Sequence, residues 1–117
     1  MTNKEYALLA AKTLDNKKAI DITVIDIMEK ASFADYMIIA TGNSDRQVNS
    51  LVDDVEEEFA KEGLFAKSID GKQNSGWILM DFGDIVVNIF NKETREKYNI
   101  ERVWGDCTFI DFENGEN

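Results

Sequence analysis

The stretch Trp77 to Phe90 reads WILMDFGDIVVNIF and decides the fold of this 117-residue chain. Two apolar runs flank the dipeptide Gly83-Asp84, and a two-residue link of this kind between β-branched and aromatic runs is typical of a β-hairpin. With that turn, alternation divides the ribbon into two sides. One side is wholly apolar and is predicted to face the core; it carries Ile78, Met80, Phe82, Ile85, Val87 and Ile89.

The opposite side of the hairpin has a mixed character. It carries Trp77, Leu79, Asp81, Val86, Asn88 and Phe90. This side is too apolar for an ordinary solvated face and too polar for a sealed interior, so it suits a partner. Trp is enriched where interfaces derive their affinity, whereas a core position is the plain alternative for Trp77.

The remaining segments predict one sheet with helices packed on it. Helical spacing predicts helices from about Thr2 to Asn16, from Ser44 to Gly63 and from Asn91 to Tyr98. Strand patterns outside the hairpin occur at Ile20–Ile25, Tyr36–Ala40 and Leu64–Ile69. The segment 36–40 is apolar on both parities, which predicts a central strand covered on both sides. The predicted fold class is α/β, with a single mixed sheet of about five strands and flanking helices.

The helix that begins after Ser44 has the clearest periodicity. Ser44 and Gln47 have capping-box spacing, and an apolar stripe follows at Val48, Leu51, Val52, Val55 and Phe59. The outer face of this helix carries Asp53, Asp54, Glu56, Glu57 and Glu58. Such a run is either a solvated helix face or a source of electrostatic steering towards a basic surface.

Composition predicts a single acidic domain. The chain has 13 Lys and Arg against 23 Asp and Glu, a formal charge of -10, which opposes direct nucleic-acid binding and favours a basic partner. The single Cys, Cys107, excludes an intrachain disulfide, and the absence of His excludes Cys/His zinc sites. No segment reads as a signal peptide or a membrane span, so a cytoplasmic protein is expected. A domain over residues 1–108 and an acidic, partly disordered tail over 109–117 are predicted.

Two patterns could indicate nucleotide chemistry, and each has a simpler structural explanation. Residues 41–44 lead a strand into a helix N-terminus and could bind an anion, but Gly42 and Ser44 also fit a turn and an N-cap. Asp81 and Asp84 could hold magnesium, but turn chemistry accounts for both. Because no base, nucleophile or paired-metal arrangement accompanies them, no catalytic residue, metal site or cofactor is predicted.

Three groups of segments together resemble the ribosomal silencing factor family, also called the Iojap or RsfS family. The first group is 34–36 with 39–44 and 46–47, the second is 77–84 with 86–87, and the third is Arg95, Tyr98, 100–101 and 103–104. The resemblance covers nearly the whole chain. It implies a fold similar to nucleotidyltransferases but without their catalytic carboxylates.

The resemblance also implies a function without catalysis. Such proteins bind the large ribosomal subunit at ribosomal protein fourteen, sterically block joining of the small subunit and lower translation under nutrient limitation. A homodimer is implied, and neither a membrane nor a specific nucleic-acid partner is expected. The predicted partner-binding residues are Trp77, Leu79, Met80, Asp81, Phe82, Asn88 and Phe90, and the predicted dimer or edge contacts are Tyr98 and Trp104.

One departure from the family pattern changes the chemistry of a side chain, whereas Ile100 and Val103 replace the commoner Leu and stay apolar; two questions stay open. The family usually has His where this chain has Asn88, which cannot become a cation. For Trp104, packing over the domain edge and contact with a second copy fit the sequence equally. The alternatives to a translational repressor are a nucleotide-binding or nucleotidyl-transfer enzyme and a dimeric ribosome-assembly adaptor.

Overall fold

The structure is a computed structural model, and it describes residues 1–71 and 75–113. The strands of the described residues are β1 (Ile20–Asp26), β2 (Tyr36–Gly42), β3 (Ser68–Asp70), β4 (Trp77–Asp81), β5 (Ile85–Asn91) and β6 (Thr108–Ile110). The helices are α1 (Asn3–Asn16), α2 (Asp45–Lys61), α3 (Lys92–Tyr98) and a 3₁₀ segment (Ile100–Trp104).

The strands form one sheet in the order β3-β4-β5-β2-β1-β6. β2 and β5 pair in parallel, and the other neighbouring strands pair antiparallel. The predicted α/β fold with a single mixed sheet is therefore confirmed, although the sheet has six strands instead of about five.

The hairpin has the predicted register. Trp77 pairs with Phe90 at the open end of the ribbon, and the Phe82 N–H donates to the Ile85 carbonyl at 2.9 Å across the turn. Gly83 lies in the turn with φ +93°, a left-handed conformation that glycine adopts without steric cost. All six side chains predicted to face the core are buried there.

The sheet has a main core on one face and a smaller core on the other. α1 and α2 cover the main core, and the residues that α2 buries are the five of the predicted stripe. β2 is buried along its whole length, as predicted for a central strand. The second core consists of Ile25, Ile27, Ala34, Met37, Ile39, Val86 and Phe90. α3 and the 3₁₀ segment lie over this second face.

None of the helices within residues 1–71 and 75–113 combines the length and the apolar character that crossing a bilayer requires.

Two boundaries differ from the sequence prediction. β3 begins at Ser68 instead of Leu64, because Leu64 and Ala66 pack against the main core from an irregular connection. At the other end of the chain, β6 pairs with β1 and Ile110 is buried, so the sheet extends past the predicted boundary at residue 108. The last part of the predicted tail, 114–117, lies outside the described residues.

The two N-terminal caps differ in one detail. Thr2 and Glu5 form the complete reciprocal capping box predicted for α1. At α2, the Ser44 hydroxyl accepts a hydrogen bond from the Gln47 N–H at 3.1 Å. The Gln47 side chain instead accepts from the Asn43 N–H, so the second half of the predicted box is shifted by one residue.

Replacing Ser44 with alanine is expected to lower the free energy of unfolding by about 1 kcal/mol, because the Gln47 N–H loses its acceptor. Urea unfolding measures the change. Ser50→Ala is the matched control, since Ser50 is exposed on the same helix and alanine is the better helix former. Equal losses in the two variants would contradict a capping role.

Candidate partner-binding surface

The outer side of the hairpin is only partly accessible. Its residues on β4, Trp77, Leu79 and Asp81, are half-buried. Its residues on β5, Val86, Asn88 and Phe90, are at most 6% exposed. The difference arises because β5 is a central strand of the sheet, and Ile100 and Trp104 pack against the second core that contains two of these side chains.

Four residues of the predicted partner-binding set are therefore not on the accessible surface of the monomer. Met80 and Phe82 belong to the main core, where the Phe82 ring lies 4.5 Å from the ring of Phe59. Asn88 and Phe90 are covered on the second face. A sequence signal for this cover existed: residues 85–90 of β5 are apolar on both parities except at Asn88, which is the pattern that identified β2 as a central strand.

The indole of Trp77 is held by three contacts. It stacks on the ring of Phe90 with centroids 5.0 Å apart. On α3, the Tyr98 ring lies 5.3 Å from it, and Tyr98 itself is 49% exposed. The indole Nε1–H donates to the Asn88 Oδ1 at 3.0 Å. The result is a preorganised aromatic surface that is partly exposed to solvent.

A shallow cavity of about 280 Å³ adjoins this indole. It is lined by Asp70, Gly71, Trp77 and Leu79. Gly71 has φ +124°, and a Cβ at this position would lie 2.4 Å from the Trp77 carbonyl oxygen, so the close approach requires glycine. We call Trp77, Leu79, Tyr98 and this cavity the Trp77 surface.

The residues that could have served nucleotide chemistry have structural roles. The Asp81 carboxylate accepts a hydrogen bond from the Gly83 N–H at 2.8 Å, which is turn chemistry. The Asp84 carbonyl accepts from the N–H groups of Asp35 and Tyr36. Ser44 caps α2. The contacts of Asp81 and Ser44 match the simpler of the two explanations offered by the sequence, whereas the contacts given for Asp84 are made by its backbone and leave the role of its carboxylate a prediction.

A buried ion pair connects α3 and the 3₁₀ segment to the second face of the sheet. The patterns of the sequence did not predict this pair. Arg95 of α3 is 8% exposed. Its guanidinium donates to Glu101 Oε2 from Nε at 3.1 Å and from Nη2 at 2.9 Å. It also donates to the hydroxyls of Thr41 on β2, at 2.9 Å, and Thr23 on β1, at 3.3 Å. One side chain thus connects α3, the 3₁₀ segment and two strands.

The ion pair also changes the titration of Glu101. Burial by itself raises the pKa of this carboxyl, but the hydrogen bonds from Arg95 and from the backbone, together with the positive charge, hold the pKa below its ordinary value. Glu101 is therefore ionised in the folded protein at neutral pH.

Comparison with known proteins gives the family. The profile described as "Ribosomal silencing factor during starvation" matches residues 1–117. The chain belongs to the ribosomal silencing factor family. This membership confirms the resemblance stated on the three groups of segments, which include Trp77, Leu79 and Tyr98 of the Trp77 surface and the Arg95–Glu101 pair.

Members of the ribosomal silencing factor family resemble the chain over most of its length. The "Ribosomal silencing factor RsfS" of Bacillus subtilis is 36% identical over 117 residues, which cover 100% of this chain and 99% of that protein. A crystal structure of a Chromobacterium violaceum protein superposes with a TM-score of 0.86 at 34% identity, covering 90% of this chain and 88% of the other. The mouse "Mitochondrial assembly of ribosomal large subunit protein 1" is 30% identical over 102 residues, 84% of this chain and 44% of that protein.

Trp104, a predicted dimer or edge contact, lies at a second exposed apolar region. Its ring packs edge to face with Phe33 at 6.0 Å, and the Lys30 ammonium lies 5.8 Å from its centroid. Lys30 also donates to Asp106 and to the Val103 carbonyl, both at 2.7 Å. Trp104 thus packs over the edge of the second core, and its contact with a second copy stays a prediction.

Cys107 lies beside this region. Burial and the neighbouring Asp106 raise the pKa of its thiol, so the group is a neutral thiol at physiological pH. Cys107 packs as a small, partly buried residue against the second core.

Proposed function

We propose that this protein is a ribosome-associated translational repressor that acts under nutrient limitation. In this proposal it binds the large ribosomal subunit at ribosomal protein fourteen and sterically blocks joining of the small subunit. Membership of a family described by ribosomal silencing during starvation supports the regulatory role. The name of the mouse relative, which refers to the large subunit, supports the choice of subunit.

The observation that carries the proposal is the Trp77 surface. Trp and Tyr are the side chains that most often dominate binding energy at interfaces. Here both rings are partly exposed and are already held in place, so association costs little additional side-chain entropy. Leu79 and the adjoining cavity add an apolar recess that can receive a partner side chain.

Charge supports a basic protein as the partner. The chain carries a formal charge of -10, and the acidic residues of α2 include exposed carboxylates. A protein of this charge is repelled by bare phosphate backbone and attracted to a basic ribosomal protein. The acidic field accelerates encounter, and the Trp77 surface provides the short-range affinity.

The proposal includes a regulatory, non-enzymatic role, a cytoplasmic location and a homodimer in the free protein. Family membership supports the regulatory role. Sedimentation velocity of the free protein measures the oligomeric state directly. A role in assembly of the large subunit is the second candidate, because assembly is part of the name of the mouse relative.

Two assays on purified subunits test the proposal. The protein is expected to co-sediment with isolated large subunits and, when added before small subunits, to lower the fraction of joined ribosomes. Absence of co-sedimentation would overturn binding to the large subunit. Binding that leaves subunit joining unchanged would overturn the blocking mechanism and favour the assembly role.

Affinity for large subunits is expected to fall as salt rises, because the screening length shrinks from roughly 10 Å at 0.1 M salt to roughly 3 Å at 1 M. Titrations at several KCl concentrations measure the slope, with sucrose as an uncharged control. Reversing charge at exposed Glu56 and Glu57 of α2 should flatten the slope. An affinity that does not depend on salt would contradict electrostatic steering.

A further inference from the structure

Asn88 is a buried polar residue at the centre of the second face. It lies on β5, paired with Ile39 of β2 on one side and Leu79 of β4 on the other. The residue is 1% exposed. Its Oδ1 accepts the hydrogen bond from the Trp77 indole, whereas its Nδ2 has no hydrogen-bond partner within the described residues.

The orientation of this amide follows from its single contact. In the reversed orientation, Nδ2 would face the indole N–H, and two donors would meet. A buried donor without a partner opposes folding. An apolar residue of similar size at position 88 would therefore stabilise the sheet more than Asn88 does. The group from which Asn88 accepts a hydrogen bond is the indole N–H of Trp77, which belongs to the Trp77 surface.

The ring contacts of Trp77 do not by themselves determine which edge of its indole faces outwards. Trp77 is the first residue of β4, at the end of its ladder with β5. Stacking on Phe90 and contact with Tyr98 restrain the plane of the indole, but both tolerate a flipped ring. Among the contacts of the described residues, the hydrogen bond to Asn88 is the one that distinguishes the two edges of the indole.

We propose that Asn88 is a positioning residue of the Trp77 surface. It selects the edge of the indole that faces outwards, and it does so from beneath the surface without touching the partner. Asn88 can act in this way because its strand is held by neighbours on both sides, whereas Trp77 lies nearer the edge of the sheet. This inference rests on the proposed function of the Trp77 surface as the docking site.

The hydrogen bond itself is tested without any ribosome. Asn88→Leu keeps the size of the side chain and removes the acceptor. In ¹H–¹⁵N spectra, the indole N–H signal of Trp77 is expected to move upfield and to exchange faster with solvent, while that of Trp104 stays in place. An unchanged Trp77 signal overturns the proposal.

The effect on binding is measured by co-sedimentation with purified large subunits. Asn88→Leu is expected to weaken affinity about fivefold, the cost of ordering one side chain on binding, without lowering the midpoint of urea unfolding. Asn49→Leu on α2, which covers the opposite face, is the matched control and should bind normally. An altered indole signal with unchanged affinity overturns the positioning role, and so does an affinity loss that only parallels a loss of stability.

A second variant removes the same hydrogen bond from the donor side. Trp77→Phe lacks the indole N–H, and Asn88→Leu added to it should weaken binding no further, since the bond is already absent. A further loss in the double variant overturns the proposal. If the wild-type protein does not co-sediment, the proposed function falls and the role of Asn88 in binding falls with it, whereas the indole spectra still decide whether Asn88 orients Trp77.

Discussion

Replacing Arg95 with methionine is expected to lower the free energy of unfolding by about 3 kcal/mol at neutral pH. The substitution removes the guanidinium that joins α3 to Thr41 and Thr23, and it leaves Glu101 without its counter-charge. The estimate is at the lower end for a broken buried pair, because the Glu101 side chain keeps 26% of its surface exposed. Chemical denaturation measures the loss.

Arg102→Met is the matched control for this substitution. Arg102 is an exposed arginine of the 3₁₀ segment, so its loss should change stability by less than about 0.5 kcal/mol. Similar losses for the two arginine variants would show that the buried network contributes nothing particular.

The pH dependence of the free energy of unfolding should also differ between the wild-type protein and Arg95→Met. In the folded protein the pKa of Glu101 is held below its ordinary value of 4.5, so its contribution to stability is complete above that value and is lost as pH falls through the lower folded pKa. Without Arg95, Glu101 loses both the side-chain hydrogen bonds and the positive charge that lower its pKa, and only the backbone hydrogen bond still opposes the rise caused by burial. The difference between wild type and Arg95→Met should therefore be largest at neutral pH and shrink in acid. A difference that stays constant down to acid pH would contradict the ion-pair account.

Trp77→Ala is expected to weaken binding to large subunits by about 2 kcal/mol, or roughly thirtyfold. The substitution removes the largest ring of the Trp77 surface, which is the proposed docking site, and uncovers Phe90 beneath it. Titration by co-sedimentation measures the change. Urea unfolding establishes beforehand that the variant is folded under the conditions of the titration.

The control for Trp77→Ala is another exposed aromatic residue. Phe65 is 67% exposed and has no ring contact among the described residues, so Phe65→Ala should leave the affinity unchanged. Equal weakening by both substitutions would indicate general hydrophobic adhesion. Normal binding by Trp77→Ala would remove Trp77 from the docking site.

The elements with strong periodicity could be predicted from the sequence. The hairpin register, the buried stripe of α2 and the central position of β2 each follow from local alternation or helical spacing. The strand β6 could not be found in this way. It has three residues, and its partner β1 lies near the other end of the chain, so the pairing is set by tertiary structure and not by local pattern.

The candidate site was predictable in part. Alternation placed Trp77 and Leu79 on the outer side, and the structure leaves both partly exposed. The apolar character of β5 on both parities could indicate that this strand is covered, but it could not reveal that α3 and the 3₁₀ segment form the cover, because that arrangement depends on Arg95 reaching hydroxyls on β1 and β2. Burial of Asn88 and Phe90 is a consequence of this cover.

The parallel pair at the middle of the sheet governs how the chain reaches its native state. The hairpin of β4 and β5 joins neighbouring segments and can form early. Tyr36 and Ile85 pair only after the long segment between β2 and β5, which contains α2, has closed into a loop. We therefore expect the pairing of these two distant strands to be the slow step of refolding. Until it occurs, the apolar flanks of β2 are open to other unfinished chains, and this interval is when the protein is most prone to aggregate.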